Sequence, residues 1–480
     1  MSNAAARAES TCEARSLEKS DETPLAGKRV SGGRRLRAAC FAVLVMSVAV
    51  AARLAGQGPG VDADLEHRAR AAVQWLEQQV TPNRVVPDPD ATRRGLLVSY
   101  AFTPRQFPSG YHRSATYDNA VAALAFLLSG NRERAAVTLD GLARLVRPDG
   151  SLWFNYNTAD SWPTEADHES ALVRAGSVAW VGYALIFYLA HVPLQSADPG
   201  DARERAAFLA AARRLGTYLA SLQVNEPGDA RDGLLHLGYG SIALTYDSVA
   251  KNVVEHYDDR PALGISTENN IIAWFFLRRL SLVTGDTLFA RVAGRIERSL
   301  RTVAWNARLG QFNQGFGPTG VPDSNKALDC AALGALFLEA HGDSVASRRA
   351  LAAAERFYRS RDGTTSGYRP YGDRPIYEDR AVSAFFFPGR SGLTWQELPV
   401  VWSEGSLQVA LAYLRAGRRE LARRIVEDLG ALQAPDGGVR YASTEVPYEM
   451  AKVPSVAGSA WLVMMAAAIR GDTMALDILR

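Results

Sequence analysis

The sequence predicts an all-α fold: an (α/α)6 toroid of six helical hairpins, preceded by a disordered tail and one hydrophobic signal or anchor segment. Three observations lead there. Helical periodicity runs from residue 62 onward with little strand signal. The helical segments are of two kinds, one amphipathic and one apolar nearly all round. The two kinds alternate six times, at a repeat of roughly 70 residues. The chain is long enough for this, with 480 residues, 47% of them hydrophobic and 22% charged.

Residues 1–37 are rich in Ser, Ala, Glu and Arg, lack apolar periodicity and read as a disordered tail. They hold eight basic and five acidic residues, so most of the formal charge of +3 is local to them. The remainder is close to neutral and has no basic stripe, which argues against nucleic acid as a partner. Arg34, Arg35 and Arg37 flank an apolar run from Ala38 to Ala52. That run is short for a span, which needs roughly 20 residues, and fits a signal h-region. Ala49-Val50-Ala51 is a candidate cleavage site, and an uncleaved anchor is the alternative. Segment 38–56 is therefore a signal peptide or a single membrane anchor, and either reading exports residues 57–480. Of the three cysteines only Cys330 lies in the body, within an apolar run, as expected of a buried structural thiol.

The amphipathic segments are 62–80, 132–147, 202–223, 286–304, 345–360 and 418–433. One wet face and one buried face suit outer helices. The apolar segments are 116–130, 170–191, 267–283, 327–341, 402–416 and 455–470. Such helices need cover on every side, so the pairs must stack. An open stack leaves two apolar ends, and a closed ring of six leaves none. The irregular stretches 81–115, 148–169, 224–266, 305–326 and 361–401 all precede an inner helix and are expected to gather at one end. Pro148-Asp149-Gly150 and Pro435-Asp436-Gly437 are turns with a mechanism: fixed φ at Pro, side-chain hydrogen bonding at Asp, free φ at Gly. Each is followed by an extended stretch reaching an aromatic, and Asp362-Gly363 through Tyr368 is a looser copy.

Polar residues open the apolar helices. Tyr117-Asp118-Asn119 opens the first, Asp167-His168-Glu169-Ser170 the second and Ser266-Thr267-Glu268-Asn269-Asn270 the third. Leu328-Asp329 opens the fourth and Trp402-Ser403-Glu404-Gly405 the fifth. Each acid alone suits a helix N-terminus. In a ring, however, they converge on one mouth, and polar groups on a buried helix need partners or a cavity. Asp118, Glu268, Asp329 and Glu404 are the candidate catalytic carboxylates. Tyr117, Asn119, Glu169, Asn269 and Asn270, with the loop tryptophans Trp162, Trp395 and Trp402, are the candidate sugar contacts, flat faces beside acids.

These motifs, in the alternating layout over residues 62–470, resemble the six-hairpin (α/α)6-barrel glycosidase-like superfamily. The resemblance implies hydrolysis of a polysaccharide or oligosaccharide, less often lyase or epimerase chemistry. Ser403-Glu404-Gly405 also looks like the general-acid motif of family 8 glucanases, where that motif comes early in the chain; here it lies in the fifth pair, so only the superfamily is carried over.

Glycoside hydrolysis needs one protonated and one ionised carboxyl. Glu268, on a helix with Ile271, Ile272, Trp274 and Phe275, is the expected general acid, its pKa raised by desolvation. Glu404 or Asp118 is the expected base. A lyase or epimerase would use a base such as His168, His256, Tyr246 or Tyr257. A glycan-binding envelope protein would bind without turnover. No Walker loop, dinucleotide fingerprint or His-Glu-x-x-His is present, so neither cofactor nor metal is expected.

Overall fold

The computed structural model describes residues 59–108, 110–159, 171–193 and 199–480. The tail 1–37, the segment 38–56, and the candidates Trp162, His168 and Glu169 lie outside the described residues. Contacts divide the chain into Met1–Val61 and Asp62–Arg480, and the second unit carries the fold. Among the described residues no helix is long and apolar enough to cross a membrane.

Six inner helices form one ring: α2 (Thr116–Leu128), α4 (Ala175–His191), α6 (Thr267–Thr284), α8 (Leu328–Ala340), α11 (Ser403–Arg415) and α13 (Val456–Arg470). Each touches the next, and α13 returns to α2, so the ring closes. The apolar composition explains their place: every residue from Ala175 to Tyr188 is buried, as is every residue from Val456 to Ile469. The outer helices are α1 (Pro59–Gln79), α3 (Arg132–Leu145), α5 (Pro199–Ser221), α7 (Thr287–Ser299), α9 (Ser344–Tyr358) and α12 (Arg419–Asp428). Asn131, Asp286 and Asp343 cap α3, α7 and α9 by accepting backbone N–H bonds.

The outer ring closes through α1. Gln433, beyond α12, accepts from Arg68 Nε at 3.2 Å and donates to the Arg68 carbonyl at 2.9 Å. On its other side, Asn131 donates to Glu77 at 2.7 Å. The Pro-Asp-Gly turns are wedges in this wall. Gly437 has φ 96°, and a Cβ there would lie 2.3 Å from the Ala71 carbonyl oxygen of α1. Gly150, φ 84°, meets the Arg214 carbonyl of α5 in the same way. Only glycine permits both the positive φ and the close approach.

A second repeated device ties each turn to its inner helix. Asn119 bonds the Ala115 carbonyl one turn back at 2.7 Å and accepts from Leu97 N–H at 2.8 Å. Asn270 does the same with the Ser266 carbonyl and Leu235 N–H. Ser406 and Ser459 repeat it with shorter arms, toward Tyr368 and Val439.

The all-α expectation needs one correction. Short strands pair at the helix starts, beginning with β1 (Arg113–Ala115) on β2 (Asn155–Asn157). Then β3 (Val173–Arg174) pairs with a long hairpin, β4 (Gly238–Asp247) and β5 (Asn252–Ala262), and β6 (Ile265–Ser266) leads into α6. The hairpin occupies what reads in sequence as the irregular stretch 224–266. Its β-branched and aromatic residues, Ile242, Thr245, Tyr246, Val253, Val254 and Tyr257, carry the strand propensity. A further short helix, α10 (Arg380–Phe386), lies in the 361–401 insertion and is capped by Asp379.

Candidate active site

Glu268, Asp329 and Glu404 occupy the same place on three successive inner helices: the second residue of α6, α8 and α11. Tyr117 holds that place on α2, with Asp118 following it. Because the ring brings all inner N-termini to one end, these side chains meet. Each acid sits at the positive end of a helix, which favours its charge, yet burial dominates.

The charges act on one another. Glu268 and Glu404 both raise the Asp329 pKa, though desolvation contributes most, and the group stands well above the ordinary carboxylate range. Glu268 is pushed up to about 7 by burial. Burial also raises Asp118 to about 7, against a hydrogen bond from Ser99 that lowers it. Glu404 is raised to about 8, first by burial and then by the charges of Asp118 and Glu268, while the Tyr117 hydrogen bond pulls it down. Burial raises all four carboxyls, and neighbouring charges add to this at Asp329 and Glu404.

Their hydrogen bonding differs. Glu404 Oε1 accepts from the Tyr117 hydroxyl at 2.5 Å and from Gln408 Nε2 at 3.2 Å. The Tyr117 oxygen in turn accepts from Trp461 Nε1 at 2.8 Å. The indole N–H therefore occupies the phenol's lone pair and leaves the phenolic proton for Glu404. Donors to a carboxylate favour its ionised form. Glu268 has no such donor among the described residues and is only half-buried.

The remaining candidates separate. Asn269 is buried on α6 next to Gly176, where any Cβ would strike its amide oxygen at 2.2 Å. Asn119 and Asn270 do not face sugar: their amides are spent on loop backbone, as described above. Trp395 is fully buried against Tyr371, with centroids 5.5 Å apart, and is a core residue rather than a platform. Trp402 is also buried, its ring lying over Gly405, where a Cβ would meet it at 2.2 Å. Among the alternative bases, His256 bonds Thr245 on the β4–β5 hairpin, and Tyr246 and Tyr257 lie on the same hairpin.

Several neighbours of the cluster escape the sequence reading. Tyr441 lies within the electrostatic reach of Glu404, Asp118 and Asp329, and stands edge-on to Tyr100 at 5.6 Å. Tyr371 lies within reach of Asp329 and Glu268 and carries the Arg374 guanidinium 4.2 Å over its ring. The one available hint was Tyr441, the aromatic ending the Pro435-Asp436-Gly437 unit. An open cleft of about 590 Å³ lies elsewhere, between Glu297, Arg301 and Trp305. No group of residues able to hold a metal ion occurs among the described residues.

No protein-family model matches the chain, and no curated protein matches it. Solved structures do. A glycosidase variant in complex with glucose superposes with a TM-score of 0.55 at 13% identity, covering 87% of this chain and 99% of its own. The fold is the six-hairpin glycosidase-like (α/α)6 barrel. A D-mannose isomerase also superposes, with a TM-score of 0.52 at 12% identity over 86% of this chain and 99% of its own. A GH63 mannosylglycerate hydrolase from Thermus thermophilus, in complex with glucose, matches with TM-score 0.52 at 15% identity over 83% and 99%.

Proposed function

We propose that this six-hairpin protein is a glycoside hydrolase with Glu268 as general acid and Glu404 as base. The observation that carries the reading is the meeting of Glu268, Asp329 and Glu404 at the same helical position, with Tyr117 donating to Glu404 alone. Glu268, without donors among the described residues and raised to about 7, delivers its proton to the leaving oxygen. Glu404, raised to about 8 but held by the Tyr117 and Gln408 donors, activates water once it ionises. Asp329 and Asp118 keep the cluster partly protonated and offer acceptors for sugar hydroxyls. Tyr441 and Tyr371 supply flat faces at its edge. The substrate is an oligosaccharide or polysaccharide, met outside the cytoplasm if 38–56 exports the chain; mass measurement of the mature N-terminus tests the export.

The test is product analysis on a broad saccharide panel, with Glu268→Gln and Glu404→Gln alongside. Each variant should lose about 10³-fold in kcat while keeping sugar affinity. Unchanged turnover in both would remove the assignment. A sugar isomerase or epimerase is the second reading, favoured by the shared fold of a D-mannose isomerase. It would return a product of unchanged mass from a single sugar. A product lighter by one water would indicate a lyase, and binding without products a glycan-binding protein.

A further inference from the structure

The β4–β5 hairpin is the longest non-helical element among the described residues and serves no barrel wall. It is rooted at the mouth, where β4 pairs with β3 just before α4 and where β5 leads through β6 into α6. Strands of ten residues reach about 33 Å. A ring of six helices packed about 9–10 Å apart is only about 20 Å across. The hairpin is thus longer than the mouth is wide.

Its far end is held. Tyr246 N–H donates to Asp379 Oδ2 at 3.1 Å, at the start of α10, and the Tyr246 ring lies 5.6 Å from that of Phe385. The insertion before α13 joins the same contact: Phe386 meets Tyr448 at 5.8 Å, and Tyr377 donates to the Pro447 carbonyl at 2.6 Å. Insertions before the third, fifth and sixth inner helices therefore lock into one arch at the mouth. Within the ring, Asp118 and Glu404 retain only 4% and 6% of their exposure, while Glu268 and Asp329 are half-buried. A groove for the interior of a polymer needs two open ends, and the arch spans the mouth.

We propose that the site is a blind pocket admitting one terminal unit of a short glycoside and excluding the interior of a polysaccharide. This rests on the hydrolase reading for its chemistry, and on the arch for its selectivity. The arch is held by the Tyr246–Phe385 contact, so that contact is a specificity determinant although it touches no carboxyl of the cluster.

The experiment uses the full chain and a series of end-labelled oligosaccharides of increasing length, together with the parent polymers. Expected are single-unit products from one end, and a kcat/KM that falls as the chain lengthens. Two variants accompany it: one with residues 244–254 replaced by Asn-Gly, the other Phe385→Ala, which loosens the arch without shortening it. Each should raise the ratio of long-substrate to short-substrate kcat/KM about tenfold. Ladders of internal fragments from the parent, or an unchanged ratio in both folded variants, would overturn the proposal. If nothing is hydrolysed, the hydrolase reading falls, and equilibrium binding of the same series decides the pocket separately. Binding of short saccharides only supports it, and equal binding of polymer refutes it.

Discussion

Tyr117 stands between a donor and an acceptor, and its position makes Glu404 the most supported acid of the cluster. Tyr117→Phe removes a hydrogen bond that lowers the Glu404 pKa. The acid limb of kcat/KM, which requires ionised Glu404, is expected to move to higher pH, with kcat down about tenfold to a hundredfold. A pH–rate profile with an unmoved acid limb would sink this role. The same carboxyls set a stability trend. Glu268 and Asp118 near 7 and Glu404 near 8 lie above their ordinary values of 4.5, 3.8 and 4.5. The folded state then binds more protons than the unfolded one between about pH 4 and pH 8. The stability tied to these protons is complete below the ordinary values and is lost as pH rises through 7 to 8. Melting temperatures across pH 5 to 8.5 should fall in the parent and fall less in Glu404→Gln. At this scale the sequence was informative about acids and misleading about amides. An acid opening an otherwise apolar helix invites a cavity. An amide one turn further, as at Asn119 and Asn270, is identical in sequence whether it faces sugar or a carbonyl.

Elements are joined here by repeated small devices rather than by long sheets. Asn270, buried on α6, bonds the Leu235 N–H and carbonyl and the Ser266 carbonyl one turn back. Asn270→Ala leaves those backbone groups unpaired and is expected to cost about 2–3 kcal/mol, read as a denaturant midpoint shift, with kcat/KM nearly preserved. Loss of activity at full stability would instead restore Asn270 as a sugar contact. Gly437→Ala combines a strained φ with a Cβ pressed on the Ala71 carbonyl, so about 3 kcal/mol is expected. The helices themselves were legible, because wet-and-dry alternation distinguishes outer from inner. The hairpin was not, because its strands are only partly buried and lack the strict alternation of a sheet with one dry face.

The helical ring is closed at the end opposite the acids by the C-terminal segment. Asp477 accepts from Arg279 at 2.9 Å and pairs with His191 at 3.0 Å, while Arg415 bonds the Ile478 carbonyl. Leu479 N–H bonds the Tyr183 hydroxyl, and the side chains of Ala475, Ile478 and Leu479 are buried. The C-terminal segment thus ties α4, α6 and α11 together beneath the ring. Truncation after Gly471 exposes these side chains and is expected to cost about 4 kcal/mol, or roughly 5 °C in a chain of this size. Calorimetry reads this, and an unchanged melt would show that the ring holds without its plug.

Sequence alone determined the two helix classes, their count and order, and the acids that open the inner helices. These are local properties: periodicity, composition and position within a segment. Only the tertiary structure decided which of the opening residues share a space. Ring closure brings Tyr117 of the first inner helix to Glu404 of the fifth, 287 positions away, and to Trp461 of the sixth. It also buries Trp395 and Trp402 as core. A side chain's pattern predicts that it is buried or polar, but its partners depend on how distant helices pack.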